Sequence, residues 1–132
     1  MSLRFDNGTL LVSALAGAAA VVLGAFGAHA LRSALDERAL ATWRIAVDYQ
    51  FWHALALLAT ALLARARAAR SLRFAGFAFA LGIVLFSGSL YALALGAPRV
   101  VGAVTPLGGV AFTAGWLALA IHAWRSANDA AS

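Results

Sequence analysis

Ile45–Ala64 reads IAVDYQFWHALALLATALLA. Its length suits a membrane-crossing helix, which needs ~20 residues to pass a hydrocarbon core of ~30 Å. The second half is uniformly apolar, but the first half carries Asp48, Tyr49, Gln50, Trp52 and His53. An Asp near the centre of a membrane helix costs roughly 2.5–3.5 kcal/mol on insertion scales, so such groups need partners. At the 3.6-residue period Ala46, Tyr49, Gln50, His53, Leu57 and Thr60 share one face. That face is expected to point into a bundle. Asp48 points the other way, one turn after Arg44, and a local Arg–Asp pair at the outer surface is favoured over a proton-carrying role.

The rest of the chain supports the same reading. Of 132 residues 64% are hydrophobic, and the mean hydropathy is +0.88. A soluble domain is typically ~45–50% apolar. All ten basic residues are arginines, set against five acids, for a formal charge of +5. The arginines flank apolar runs and leave no soluble domain to carry a basic groove, so nucleic acid is not an expected partner. Membrane lipids are. Cysteine is absent, which excludes disulfides, thiolate metal sites and Cys nucleophiles.

Four runs reach spanning length, at approximately 8–30, 45–64, 74–97 and 101–124. Lipid offers the backbone no hydrogen bonds, so these runs must be helices. The expected fold is an all-α, four-helix membrane bundle forming one domain over residues 1–132. Ala28-His29-Ala30 resembles a signal-peptidase site, but the apolar run before it exceeds a typical h-region of ~7–15 residues. It reads as the first membrane helix. The link from Leu31 to Arg44 reads as a short interfacial helix, with Ser33 and Asp36 in a capping-box pattern and Trp43 as a headgroup anchor. Arg65–Arg73 is a tight basic turn, and Gly96-Ala97-Pro98-Arg99 is a second turn.

Four spans put both termini on the side of the Arg65–Arg73 turn. That side holds Arg4, Arg65, Arg67, Arg70, Arg73 and Arg125; the other holds Arg32, Arg38, Arg44 and Arg99, partly offset by Asp36 and Glu37. The denser cluster is expected inside, so both termini are expected in the cytoplasm.

In the first run Ser13, Gly17, Ala20, Gly24 and Gly27 form a seam of small residues, which lets membrane helices approach closely. Gly88, Gly108 and Gly109 are further candidates for close packing. In the third run Ser87 and Tyr91 share a face, and Ser89 lies opposite with Gly82 and Phe86. In the fourth, Thr105-Pro106 is an N-cap with a first-turn proline. Either the helix starts at Thr105 after a non-regular lead-in, or it starts near Arg99 and kinks at Pro106; the second is favoured. Because the spans alternate in direction, Gly24–His29, Tyr49–His53, Ser87–Tyr91 and Thr105–Gly109 all fall in one half of the membrane. A polar cluster of His29, Tyr49, Gln50, His53, Ser87, Tyr91 and Thr105 is expected there, with Ser87, Tyr91 or Thr105 partnering Gln50 and His53.

These same pieces carry a resemblance. Gly24–His29 (GAFGAH), Trp43 followed by Tyr49-Gln50 and His53-Ala54-Leu55-Ala56, Phe86–Tyr91 (FSGSLY), Thr105-Pro106 with Gly108-Gly109, and Gly115-Trp116 stand in order across most of the chain. The sequence resembles the YgdD-like family of small inner-membrane proteins, a domain of unknown function (number 423) related to the eukaryotic transmembrane protein 256. The resemblance implies a multi-span protein of bacterial inner-membrane type and brings no activity or catalytic residues.

Three functions remain open. The first is a structural or accessory protein whose polar cluster fixes helix register. The second is a small transporter or channel-like subunit, built as a homo-oligomer, with His29, Tyr49, Gln50 and His53 as a binding site or proton relay. The third is a binder of lipid, quinone or haem, with His29 and His53 as facing haem ligands. No metal or cofactor is expected. An enzyme is least favoured, for want of a nucleophile–base–orienter set, paired carboxylates or a phosphate loop.

Overall fold

The computed structural model describes the backbone of residues 2–131 and the side chains of residues 7–131. Arg4 therefore lies outside the described side chains. Helix α1 is Ser2–His29, α2 is Glu37–Ala66, α3 is Arg70–Gly82, α4 is Gly88–Ala94 and α5 is Thr105–Ala131. No strand occurs among the described residues. A π-helical turn, Ile83–Ser87, joins α3 to α4, so these make one 25-residue span from Arg70 to Ala94. Among the described residues, four helices are long and apolar enough to cross a membrane.

The helices follow one another back and forth. α1 packs on α2, α2 packs on the third span, and the third span packs on α5. Arg65 donates to Asn7 Oδ1 at 2.6 Å, and Arg67 pairs with Asp129 at 3.0 Å. Both ends of the chain thus lie beside the arginine-rich turn.

Three expectations about the connections change. No separate interfacial helix forms over Leu31–Arg44. Only Leu31–Ser33 coil, as a 3₁₀ turn, and Glu37 already belongs to α2. The cap is Asp36, whose carboxylate accepts from Ala39 N at 2.7 Å. An Asp at this position satisfies an orphan N–H and complements the helix dipole, so α2 starts two turns before its membrane stretch. Arg44 and Asp48 are both exposed and make no ion pair; water solvates each about as well as the other would. Trp43 is no headgroup anchor. It is 4% exposed and packs inward.

The lead-in to α5 combines the two alternatives. Arg99–Ala103 form a 3₁₀ helix that passes through Val104 into the α-helix at Thr105. Pro106 sits in the first turn, where its missing N–H has no intrahelical acceptor to lose. Before it, Gly96 closes α4 with φ of 94°, and Ala97 N reaches back to Ala92 O at 2.9 Å. Only glycine takes that backbone without strain.

Candidate functional site

The polar cluster divides into three separate knots, all centred on α2 or the third span. Gln50 builds the first. Its Nε2 donates to Ala16 O of α1 at 2.9 Å, and its Oε1 accepts from Tyr91 Oη of α4 at 2.8 Å. One side chain therefore ties three helices. A carbonyl can only accept, so the orientation of the amide is fixed by its partners. Trp43 adds a parallel tie, donating from Nε1 to Leu23 O at 2.9 Å while its ring leans on Tyr91 at 4.7 Å. The indole fits because Gly27 has no side chain: a Cβ there would stand 2.5 Å from Trp43 Cδ1. Gly24 faces Val47 in the same way, at 3.3 Å.

His53 builds the second knot, toward α5. Its Nδ1 lies 2.7 Å from Tyr49 O, and its Nε2 lies 3.3 Å from Trp116 Nε1. Tyr49 O accepts and the indole N–H donates, so the proton must sit on Nδ1 and the lone pair on Nε2. The ring stacks on Phe112, with centroids 3.4 Å apart and planes 10° apart. Tyr49 stacks on Phe86 at 4.5 Å. Together Tyr49, Trp52, His53, Phe86, Phe112 and Trp116 line a groove of about 780 Å³ between α2 and α5. Trp52 and Trp116 are half exposed at its rim.

The third knot closes the third span on α5. Ser89 Oγ donates to Phe86 O at 2.9 Å and lies 2.7 Å from Thr105 Oγ1. With its only proton spent on Phe86, Ser89 accepts from Thr105. Gly108 lies against the Phe86 main chain, where a Cβ would come within 2.7 Å of Phe86 Cα. Gly115 sits under the Phe79 ring and Gly82 under Phe112.

Several expected members are placed elsewhere. His29 is exposed at the end of α1 and joins none of the knots. Ser87 is fully buried, but its Oγ has no hydrogen-bond partner. It does not meet Gln50 or His53. Thr105 meets Ser89 instead. A Cβ at Gly17 or Gly88 would meet nothing within 4 Å, and at Gly109 only Phe86 Cδ2 at 4.0 Å. These three are not close-packing positions. Trp43, Trp116 and Ser89 were missed as polar partners, and Gly82 and Gly115 as packing positions. The 4-3 spacing of Gly108, Phe112 and Gly115 was the available signal for Gly115.

Chemically, this arrangement holds helices together. Every nitrogen of the His53 ring is engaged, both ends of the Gln50 amide are engaged, and no group of three or more His, Cys, Asp or Glu able to hold a metal occurs among the described residues. Besides the Ser87 Oγ, the Tyr49 hydroxyl is unengaged. It lines the groove without a hydrogen bond of its own among the described residues.

Residues 23–109 match the model of a family described as protein of unknown function (DUF423). The chain is 42% identical over 115 residues to the UPF0382 membrane protein YwdK of Bacillus subtilis, covering 86% of this chain and 94% of that one. It is 42% identical over 120 residues to a UPF0382 membrane protein of Haemophilus influenzae, covering 91% and 96%. It is 40% identical over 116 residues to the UPF0382 inner membrane protein YgdD of Escherichia coli, covering 88% of each. No solved structure matches the chain.

Proposed function

The chain belongs to the DUF423 family of membrane proteins, and since that family supplies no activity, we propose from the geometry that it is a structural or accessory protein without catalysis. In this reading it sits in a bacterial inner membrane, and its polar cluster fixes the register of four helices. The observation that carries the reading is Gln50, which bridges α1, α2 and α4 with both ends of its amide. A proton relay through His53 would have to break the Trp116 bond to load Nε2. A haem ligand at His53 would have to do the same, and His29 stands exposed at a helix end.

Reconstitution tests this. Gln50→Leu removes two interhelical bonds, each worth ~0.6 and at most ~1.7 kcal/mol in membrane proteins, so about 1–3 kcal/mol of stability should be lost. Proton or solute flux through proteoliposomes should equal that of protein-free vesicles, for the wild type and for His53→Ala. A flux that His53→Ala abolishes at unchanged melting temperature would establish the transporter reading instead. Arginine distribution supports cytoplasmic termini. A reporter active only outside the cytoplasm, fused after residue 132, should then stay silent.

One observation favours a second reading. The groove is open, is lined by aromatic rings, and counts Tyr49, whose hydroxyl is unengaged, among its lining residues. A lipid-soluble ring such as a quinone has the matching shape and an acceptor for that hydroxyl. Added quinone should then quench tryptophan fluorescence from Trp52 and Trp116 saturably, and Tyr49→Phe should weaken it.

A further inference from the structure

The opposite end of the bundle has a chemistry that the polar cluster does not use. Arg65 lies in the last turn of α2, Arg67 just after it, and Arg70 and Arg73 in the first turn of α3, while Arg125 stands one helical turn after His122 on α5. Against them, Asp129 is the one acid on this end whose side chain is described. At the other end Asp36, Glu37 and Asp48 accompany the arginines. Both ends are net positive, but this one much more strongly, because its arginines face fewer acids.

A groove of about 490 Å³ runs beside this arginine cluster, between the end of α2 and α5. Leu63, Ala66, Leu119 and Ala123 form its apolar walls, while Arg67 and His122 lie at the polar part. Arg67 already holds one oxyanion, the Asp129 carboxylate at 3.0 Å, and both side chains are more than half exposed. Such an exposed pair is weak and exchangeable. His122 is held at 3.4 Å from Ser71 of α3, which places the imidazole at the groove wall. Apolar walls beside guanidinium groups at a helix end match a lipid: chain along the walls, phosphate at the arginines.

We infer that this groove binds one anionic phospholipid, with its phosphate on Arg67, the neighbouring Arg70 and Arg125 adding to the positive field, and an acyl chain against Leu63, Leu119 and Ala123. The charge complementarity selects the occupant. A zwitterionic lipid would bring its own cation to the arginines, and a soluble phosphate would leave the walls bare. The site is separate from the aromatic groove, which lies in the other half of α2, and the inference stands whether or not the polar cluster is purely structural.

The test uses the full chain in detergent, with native mass spectrometry to count retained lipid and thermal melting to read stabilisation. Phosphatidylglycerol should be retained as a single copy and raise the melting temperature; phosphatidylcholine at the same concentration should do neither. Arg67→Gln/Arg70→Gln/Arg125→Gln should cut phosphatidylglycerol affinity roughly hundredfold, from the usual contribution of each basic residue near a charged headgroup. The opposite-end control Arg32→Gln/Arg38→Gln/Arg99→Gln should leave it unchanged. Ala123→Trp fills the groove without altering charge and should also reduce retention. Equal retention of both lipids, equal loss in the control, or displacement by millimolar glycerol phosphate would each overturn the inference. Melting in phosphatidylcholine alone reports whether the exposed variants remain folded.

Discussion

Toward α1, helix α2 sends Trp43 and Gln50 to main-chain oxygens, Leu23 O and Ala16 O. Toward α5 it sends His53 to an indole and a stack of rings. The first interface is tightly filled, because Gly24 and Gly27 make room for the Val47 and Trp43 side chains, and its acceptors are main-chain carbonyls. The second is wide, filled by side chains, and leaves the 780 Å³ groove open. The difference shows two ways to join helices where lipid provides no hydrophobic drive. Small residues with side-chain-to-backbone bonds make a rigid lock, and aromatic side chains make a contact that leaves room.

Gly27→Leu should break the lock most completely. Even the Cβ would overlap the Trp43 ring, so the indole must leave, taking its bond to Leu23 with it. Overpacking of this kind costs about 3 kcal/mol or more. Chemical unfolding in micelles measures it. A variant as stable as the wild type would mean that α1 is loosely attached and the two interfaces do not differ in kind.

Trp116→Phe should have a smaller effect on the other interface. The ring contact with Phe79, at 5.3 Å in the present structure, has a counterpart in phenylalanine; the N–H to His53 does not. Trp116 is half exposed, so little void is created. The expected loss is ~0.6–1.7 kcal/mol, one interhelical bond. A loss as large as that of Gly27→Leu would show that the aromatic side is as rigid as the small-residue side.

The spans, their order and the inward face of α2 were legible because a membrane enforces a single rule: helical period with apolar length. Gln50 with Tyr91 was legible too, since both are polar at one depth on inward faces. Gln50 with Ala16 was not, because carbonyl acceptors leave no mark in side-chain patterns. His53 with Trp116 was hidden for a related reason. Tryptophan counts as apolar in a periodicity argument, yet its N–H still requires an acceptor. The seam of α1 was readable as a pattern but not in use: Gly24 and Gly27 are filled by Val47 and Trp43, whereas Gly17 faces open space. The π turn had no signal at all, as Ile83–Ser87 contains neither Pro nor Gly. In the fold, Gly108 of α5 lies against the Phe86 backbone of this turn, a relation between two distant segments.

Between the two interfaces, in that π turn, Ser87 gives the smallest expected effect and the opposite sign. Its Oγ is buried without a partner, while Ser89, two residues on, is bonded to both Phe86 and Thr105. An unpartnered buried hydroxyl costs desolvation and returns nothing. Ser87→Ala removes that cost and leaves the packing nearly unchanged, because the side chain differs by one atom. Stability should stay level or rise by up to ~1 kcal/mol. Thr105→Val is the matched contrast, since it strips the donor from Ser89 and should destabilise. If Ser87→Ala loses stability instead, the buried hydroxyl is bonded within the bundle and helps to hold the third span.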